Sequence, residues 1–236
     1  NCVHINEPGQ ADAICPGCAA IALFNQANNA PGFGGGFKNG LRSTAVTTLV
    51  KGSDLRSSIW FNVLHEQSLD GLMPDWRDHL EQLPTWQAPI KDKETIPAEK
   101  IGLLRGLFWQ PCHIELSKPI GAGVCHGCGN QAEVRYTGFL KAKFNFMVQG
   151  LWPHPHSPCL LDLKKGKAEE RFLAFTTPTP SWTQVSRALV KFDLEKKRQG
   201  QKPAAVIEQY KKMGARRLDL MIGGYRNNQA SIVERR

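Results

Sequence analysis

Four cysteines stand in two pairs of identical spacing, Cys15-Pro-Gly-Cys18 and Cys125-His-Gly-Cys128. A C-x-x-C knuckle offers two sulfurs from one tight turn and leaves nearby amides to bond them, so two knuckles supply the four thiolates of a structural, tetrahedral zinc site. Gly17 and Gly127 give each turn a permissive backbone. The sequence gap between the pairs far exceeds that of a zinc ribbon, so the metal would act as a long-range clamp that closes most of a domain. The competing reading makes the four unrelated buried or redox cysteines. Cysteines at 2, 112 and 159 bring the total to seven. The odd number and the paired spacing argue for a reducing, cytoplasmic setting rather than a disulfide framework.

A second constellation follows the first knuckle directly, in Pro31-Gly-Phe-Gly-Gly-Gly-Phe37-Lys38. It lacks the Gly-Lys-Ser/Thr of a phosphate loop, and the order of strand and helix is wrong for a dinucleotide fingerprint. Gly32, Gly34, Gly35 and Gly36 do let a backbone come very close to another surface, and Lys38 and Arg42 add positive charge. A polyanion such as a DNA backbone or narrow groove suits that combination, with a tightly packed or mobile turn as the alternative. Near the other end, Gly223-Gly-Tyr-Arg-Asn-Asn-Gln-Ala-Ser231 carries amide side chains that can donate to and accept from base edges. Arg226, Arg235 and Arg236 suit phosphates there; a plain loop capped into a helix is the alternative. His154, His156 and Cys159 have the ligand types of a second metal site, set against a proline-fixed loop packed beside Trp152. No paired carboxylates, Ser/His/Asp order or nucleophile elbow stands out, and Ser157 and Ser181 read as loop or capping residues, so the chain reads as non-catalytic.

The elements that must position these groups are short and mixed, an α+β pattern in one large domain. Ala19 to Phe24 predicts a brief helix, stopped by the polar run Asn25 to Ala30 before Pro31. Ala45 to Val50 reads as a strand, and Asp54 to His65 as a helix capped by Asp54 with Leu55, Ile59 and Val63 on one face beside Trp60. Prolines at 74, 84, 89 and 97 make Met73 to Pro97 a surface excursion. Cys2 to Ile5, Gly106 to Gln110, His113 to Leu116, Val134 to Tyr136 and Phe144 to Val148 predict short strands, and Leu160 to Phe175 a hairpin turning at Lys164 to Lys167. Trp182 to Phe192 and Pro203 to Met213 have helical spacing, and Leu218 to Ile222 reads as a strand.

The 236 residues are 41% hydrophobic and 22% charged, with a formal charge of +9. Such a chain can bury a substantial core, carries no apolar run of about 18 residues to cross a bilayer, and favours polyanionic partners. Asn1 and the bare Arg236 end suggest a piece of a longer polypeptide.

Five stretches together with the knuckles carry a specific resemblance: residues 20–28 (AIALFNQAN), 30–38 (APGFGGGFK), 105–111 (RGLFWQP), 150–159 (GLWPHPHSPC) and 223–231 (GGYRNNQAS). The sequence resembles the CasA family, large subunits of the type I-E CRISPR surveillance complex Cascade, over essentially its whole length. The resemblance implies that residues 1–236 form part of the N-terminal domain, without the helical bundle that follows in the family. It implies recognition of the protospacer-adjacent motif in double-stranded DNA, help in starting to unwind the duplex, and a platform for a nuclease-helicase beside the guide RNA and the other Cascade subunits. By resemblance, Gly32, Gly34 and Gly35 approach the motif from the minor groove, Lys143 probes that groove, Asn228, Gln229 and Ala230 form a wedge beside the motif, and Cys15, Cys18, Cys125 and Cys128 bind zinc. His4 stands where the family often has an aromatic residue. A zinc-dependent nucleic-acid-processing enzyme using His154 and His156 is the alternative.

Overall fold

The computed structural model describes residues 11–32, 36–38, 40–164, 166–195, 199–214, 217–228 and 231–235. The expected strand at Cys2 to Ile5, with His4, lies outside them. Helix α1 (Pro16–Asn29) has Pro16 at its first position and Cys15 as its N-cap, whose sulfur accepts the Cys18 N–H. The helix runs through the polar stretch expected to stop it, because the amides find partners inside it. The Asn28 side chain donates to Phe24 O at 3.0 Å and that of Asn29 to Asn25 Oδ1 at 2.9 Å. Pro31 ends the helix, since it cannot donate to the ladder and pushes Ala30 into the extended region, at φ −93° and ψ 153°.

Strand β1 (Thr47–Val50) precedes α2 (Leu55–Phe61) and α3 (Glu66–Leu72). Asp54 caps α2 in a reciprocal capping box with Ser57, as its type suggests. The predicted single helix is two because Asn62 turns to β1, accepting Val50 N–H at 2.9 Å and donating to Val50 O at 2.7 Å. His65 then caps α3. The apolar stripe of α2 stays in solvent: Leu55 is 77% exposed and Trp60 61%.

Next come β2 (Thr95–Pro97), α4 (Leu103–Leu107), β3 (Ile114–Leu116), β4 (Gly123–Val124), β5 (Gln131–Ala132), β6 (Phe139–Lys141) and β7 (Met147–Gln149). Strand β2 pairs with β7 in parallel, and β3–β6 and β4–β5 are antiparallel pairs. The stretch predicted as a strand at Gly106 to Gln110 contains the end of α4, and the reason is packing. The Trp152 ring lies on Gly106 so closely that a Cβ there would meet it at 2.2 Å. The Trp152 Nε1–H donates to Ile101 O at 3.0 Å. The segment from Met73 to Pro97 is largely exposed, as expected, but is anchored to the core, because Met73 and Ile90 join Ile101, Trp109, Phe144, Phe146 and Trp152 in one buried cluster. Val134 to Tyr136 forms two isolated bridges, Ile120 with Arg135 and Ile14 with Tyr136, instead of a strand.

The hairpin β8 (Cys159–Lys164) and β9 (Lys167–Phe172) forms as its turn chemistry predicts, and β10 (Gly200–Lys202) joins the β8 edge. Helices α5 (Val185–Leu189) and α6 (Ala205–Lys212) follow from their spacing, and α6 sets Val206 and Ile207 against Val50. Strand β11 (Leu220–Gly223) pairs with β1, and β12 (Tyr225–Asn228) with β13 (Ser231–Arg235). The last is an antiparallel strand pair, not the loop capped into a helix that stood as the alternative. The architecture is a mixed α+β arrangement of several helices and small sheets. Among the described residues no helix is long and apolar enough to cross a membrane.

Candidate metal centre and nucleic-acid interface

The two knuckles meet. The sulfurs of Cys15, Cys18, Cys125 and Cys128 all lie within 4.8 Å of one another, the one such group of metal-ligating type among the described residues. Backbone bonds hold them there. The β4–β5 hairpin carries Cys125 to Cys128 at its tip, with Cys125 N–H on Asn130 O at 2.8 Å and Gly129 N–H on Cys125 O at 2.8 Å. The first knuckle is laced beside it by Ile14 and Tyr136, N–H to O at 3.0 and 2.8 Å, and by His126 N–H on Ala13 O at 2.9 Å. His126 itself is exposed.

Zinc–sulfur bonds of about 2.3 Å put the sulfurs of a tetrahedral site about 3.8 Å apart. Cys15 Sγ and Cys128 Sγ are 4.0 Å apart, too far for a disulfide and close to that edge. The amides suit thiolates: Cys15 N–H donates to Cys125 Sγ at 3.1 Å, Gly127 N–H to the same sulfur at 3.3 Å, and Cys18 N–H to Cys15 Sγ at 3.4 Å. Those backbone donors, led by Cys15 N–H, hold the Cys125 thiol down to about 6. Burial and the neighbouring sulfurs push Cys18 up to about 12, so its ionisation awaits a cation. The residues fit a four-thiolate metal site.

From this centre α1 spans about 21 Å to the glycine loop, at 1.5 Å per residue. Of the sequence-predicted loop residues, Gly32 is described and Gly34 and Gly35 lie outside the described residues. A Cβ on Gly32 would sit 2.8 Å from Phe37 O, so only glycine allows that approach. Gly36 is left-handed at φ +86°. The end of the loop is stitched to the segment that carries Lys143: Phe144 N–H donates to Gly36 O at 2.8 Å and Lys38 N–H to Phe144 O at 3.1 Å. Cys112 Sγ–H also donates to Lys38 O at 2.8 Å. Lys143 is exposed, with its Cγ and Cδ 3.7 Å from the position of a Cβ on Gly36. The structure thus brings Lys143 onto the loop, more than 100 residues away in sequence, a proximity that spacing alone does not give.

Asn228 ends β12 in an exposed position, paired with Ser231, while Gln229 and Ala230 lie outside the described residues. The hairpin is fastened to α1 through Asn25 Nδ2, which donates to Tyr225 Oη at 3.0 Å, and to the β1 approach by Thr44 Oγ1 on Asn227 Oδ1 at 3.0 Å. One helix therefore carries a cysteine pair at one end, the glycine loop at the other and the hairpin on its flank. Two expected phosphate ligands are otherwise engaged. Arg42 is buried, and Arg226 pairs with Glu234 at 2.9 Å. Burial of Arg42 had no local signal.

The histidine loop is a packed one. His154 stacks edge-on to Trp152 with ring centres 5.7 Å apart, and its Nδ1 accepts His156 N–H at 3.1 Å. His156 Nε2 bonds Asn62 O at 2.9 Å. Burial, then the Arg42 charge and His156, hold His154 well below the usual histidine range, and burial leads the lowering at His156. Cys159 is buried with its thiol pushed up by desolvation and Glu170, which makes it a poor ligand.

A structure titled as a CRISPR associated protein from Thermus thermophilus superposes with a TM-score of 0.60 at 18% identity, covering 98% of this chain and 46% of its own. Thermus thermophilus CasA (Cse1) gives 0.60 at 19% identity over 96% of this chain and 47% of that one. CRISPR-associated protein Cse1 from Acidimicrobium ferrooxidans gives 0.62 at 16% identity over 93% and 43%. The chain thus spans less than half the length of these structures, which share its fold. The family model described as CRISPR-associated protein Cse1 matches residues 1–236, every residue of the chain, and the chain belongs to that family.

Proposed function

We propose that this chain is part of the N-terminal domain of a DNA-recognition subunit in the cytoplasmic, RNA-guided CRISPR surveillance complex Cascade. In this reading it recognises the protospacer-adjacent motif of double-stranded target DNA through the minor groove, helps to start unwinding and offers a platform for the nuclease-helicase. The observation that carries the proposal is the contact of Lys143 with the end of the glycine loop: the stem of a long cationic side chain lies beside Gly36. A minor groove presents acceptors at A·T pairs, so the Lys143 ammonium donates there and discriminates coarsely. Gly32, Gly34 and Gly35 let the backbone enter where any side chain would collide with the groove walls. Asn228, Gln229 and Ala230 act as the wedge, splitting a base pair at a cost of a few kcal/mol that guide pairing later offsets. The subunit is not an enzyme.

Cys15, Cys18, Cys125 and Cys128 would hold a zinc ion, which supplies structural cross-linking and no redox chemistry. The thiols of this chain lend it their charge, and the amides of Cys15 and Gly127 orient the Cys125 sulfur. The zinc-enzyme alternative is not favoured, because His154 Nδ1 already accepts His156 N–H and His156 Nε2 already bonds Asn62 O.

The test is binding of motif-bearing and motif-lacking duplexes by the reconstituted complex. Lys143→Ala and Gly35→Asp should each lower the preference for the motif at least tenfold. An unchanged preference in both variants refutes the groove assignment.

A further inference from the structure

Arg42 is 8% exposed and, among the described residues, carries its charge into the protein without a carboxylate partner. Its Nε donates to Asn28 O at 3.2 Å, Nη1 to Ser157 Oγ at 2.6 Å, and Nη2 to Thr47 Oγ1 at 2.9 Å and to Asn29 Oδ1. Every acceptor is neutral. Burial alone brings the guanidinium down to about 10, so it stays charged at neutral pH. A charge kept in such a place is unfavourable unless its geometry is needed, and the geometry here is particular. Asn28 and Asn29 are the last two residues of α1, immediately before Ala30, Pro31 and Gly32. The final carbonyls of a helix have no partner within it, and glycine caps normally satisfy them. Here the cap is an extended Ala30, and the Asn28 carbonyl is satisfied by Arg42 instead.

The other ends of the fork reach β1 through Thr47 and the Trp152 to Cys159 loop through Ser157, whose Oγ also lies 3.4 Å from His154 Nδ1. The planar guanidinium serves three segments at once, which an ammonium of the same charge cannot do. The far end of the glycine loop is fixed independently, by the Gly36 and Lys38 backbone bonds to Phe144.

We infer that Arg42 is the positioning residue of the glycine loop: its fork fixes the point where the chain leaves α1, and so where the loop begins at Gly32. The inference rests on the DNA-reading role proposed above for its functional consequence, and on the hydrogen bonds alone for its structural one. It gives Ser157 a use, as the outer post of the anchor.

The experiment uses the reconstituted complex carrying Arg42→Lys, Ser157→Ala or Lys143→Ala, with two readouts. The first is the ratio of affinities for motif-bearing and motif-lacking duplexes. Loss of folded material lowers both affinities together and leaves this ratio unmoved. The second is hydrogen exchange at the Ala30 and Gly32 amides. Arg42→Lys should lower the ratio at least tenfold with zinc content and motif-independent binding unchanged, and should speed exchange at least tenfold, with Ser157→Ala intermediate. Unaltered exchange in Arg42→Lys overturns the anchor. A ratio that collapses in Lys143→Ala yet holds in Arg42→Lys overturns the positioning role and leaves the DNA reading standing. A ratio untouched by Lys143→Ala with faster exchange in Arg42→Lys supports the anchor and refutes the DNA reading.

Discussion

Replacing Gly127 by alanine isolates what the metal does to the cysteine cluster. Gly127 is not left-handed, so its backbone accepts an L-residue, and the effect must come from the added methyl. That carbon would lie 3.0 Å from Cys18 Sγ, 3.3 Å from Cys18 Cβ and 3.6 Å from Cys125 Sγ. Ordinary contact needs a few tenths of an ångström more. A metal-free thiol yields that distance by a small rotation about χ1, whereas a sulfur bound to metal is held to about 0.2 Å. The strain therefore falls on the loaded form, and overpacking of this kind costs about 1–2 kcal/mol. At 1.4 kcal/mol per tenfold, zinc affinity should drop roughly 5- to 30-fold while the metal-free chain melts as before. Competition against a chromophoric chelator measures the first and thermal melting in chelator the second. Gly17→Ala is the control, since its methyl meets nothing closer than Cys15 Sγ at 4.0 Å. Equal zinc affinity for wild type, Gly127→Ala and Gly17→Ala would refute the four-sulfur site.

Gly106→Ala drives a methyl into the buried Trp152 ring at 2.2 Å and should destabilise by about 3 kcal/mol or more, whereas Gly138→Ala, with nothing within 4 Å, stays within about 0.5 kcal/mol. Paired denaturant titrations check both. Asn62→Ala removes the partners of both the N–H and the C=O of the fully buried Val50, and chemical unfolding should report a loss of about 2–4 kcal/mol. His154 and His156 are held low by burial, beside Arg42, so the folded state refuses protons that the unfolded chain accepts below about pH 6.5. Their contribution is complete above that pH and is lost as pH falls through it; melting between pH 7.5 and 5 should show the decline, and His154→Gln should flatten it.

Where a local rule had no rival, the sequence was a sufficient guide. The paired cysteines, the Asp54 cap, the hairpin turning at Lys164 to Lys167 and helix α6 all follow from spacing or end chemistry. Where tertiary partners decide, it was not. The run Gly106 to Gln110 reads as a short strand, and the α4 end it contains instead is decided by an indole that needs the bare backbone of Gly106. Tyr225 to Asn228 is too rich in asparagine to read as a strand, and it is one because Asn25 and Thr44 hold its side chains. Arg42 illustrates the same limit within the candidate site. Beside a glycine loop, an arginine suggests an external anion, and only the positions of Asn28, Thr47 and Ser157 turn it inward.

The separation of the two knuckles also bears on how the protein is made. Cys15 and Cys125 are 110 positions apart, so at about 5–20 residues per second a ribosome needs roughly 5–20 s to deliver the second pair after the first. Tyr225, which fastens the hairpin to the same helix, comes later still, 200 positions after Asn25. The first knuckle thus waits as an exposed dithiol until the second emerges, and metal capture by all four sulfurs follows the delivery of Cys128.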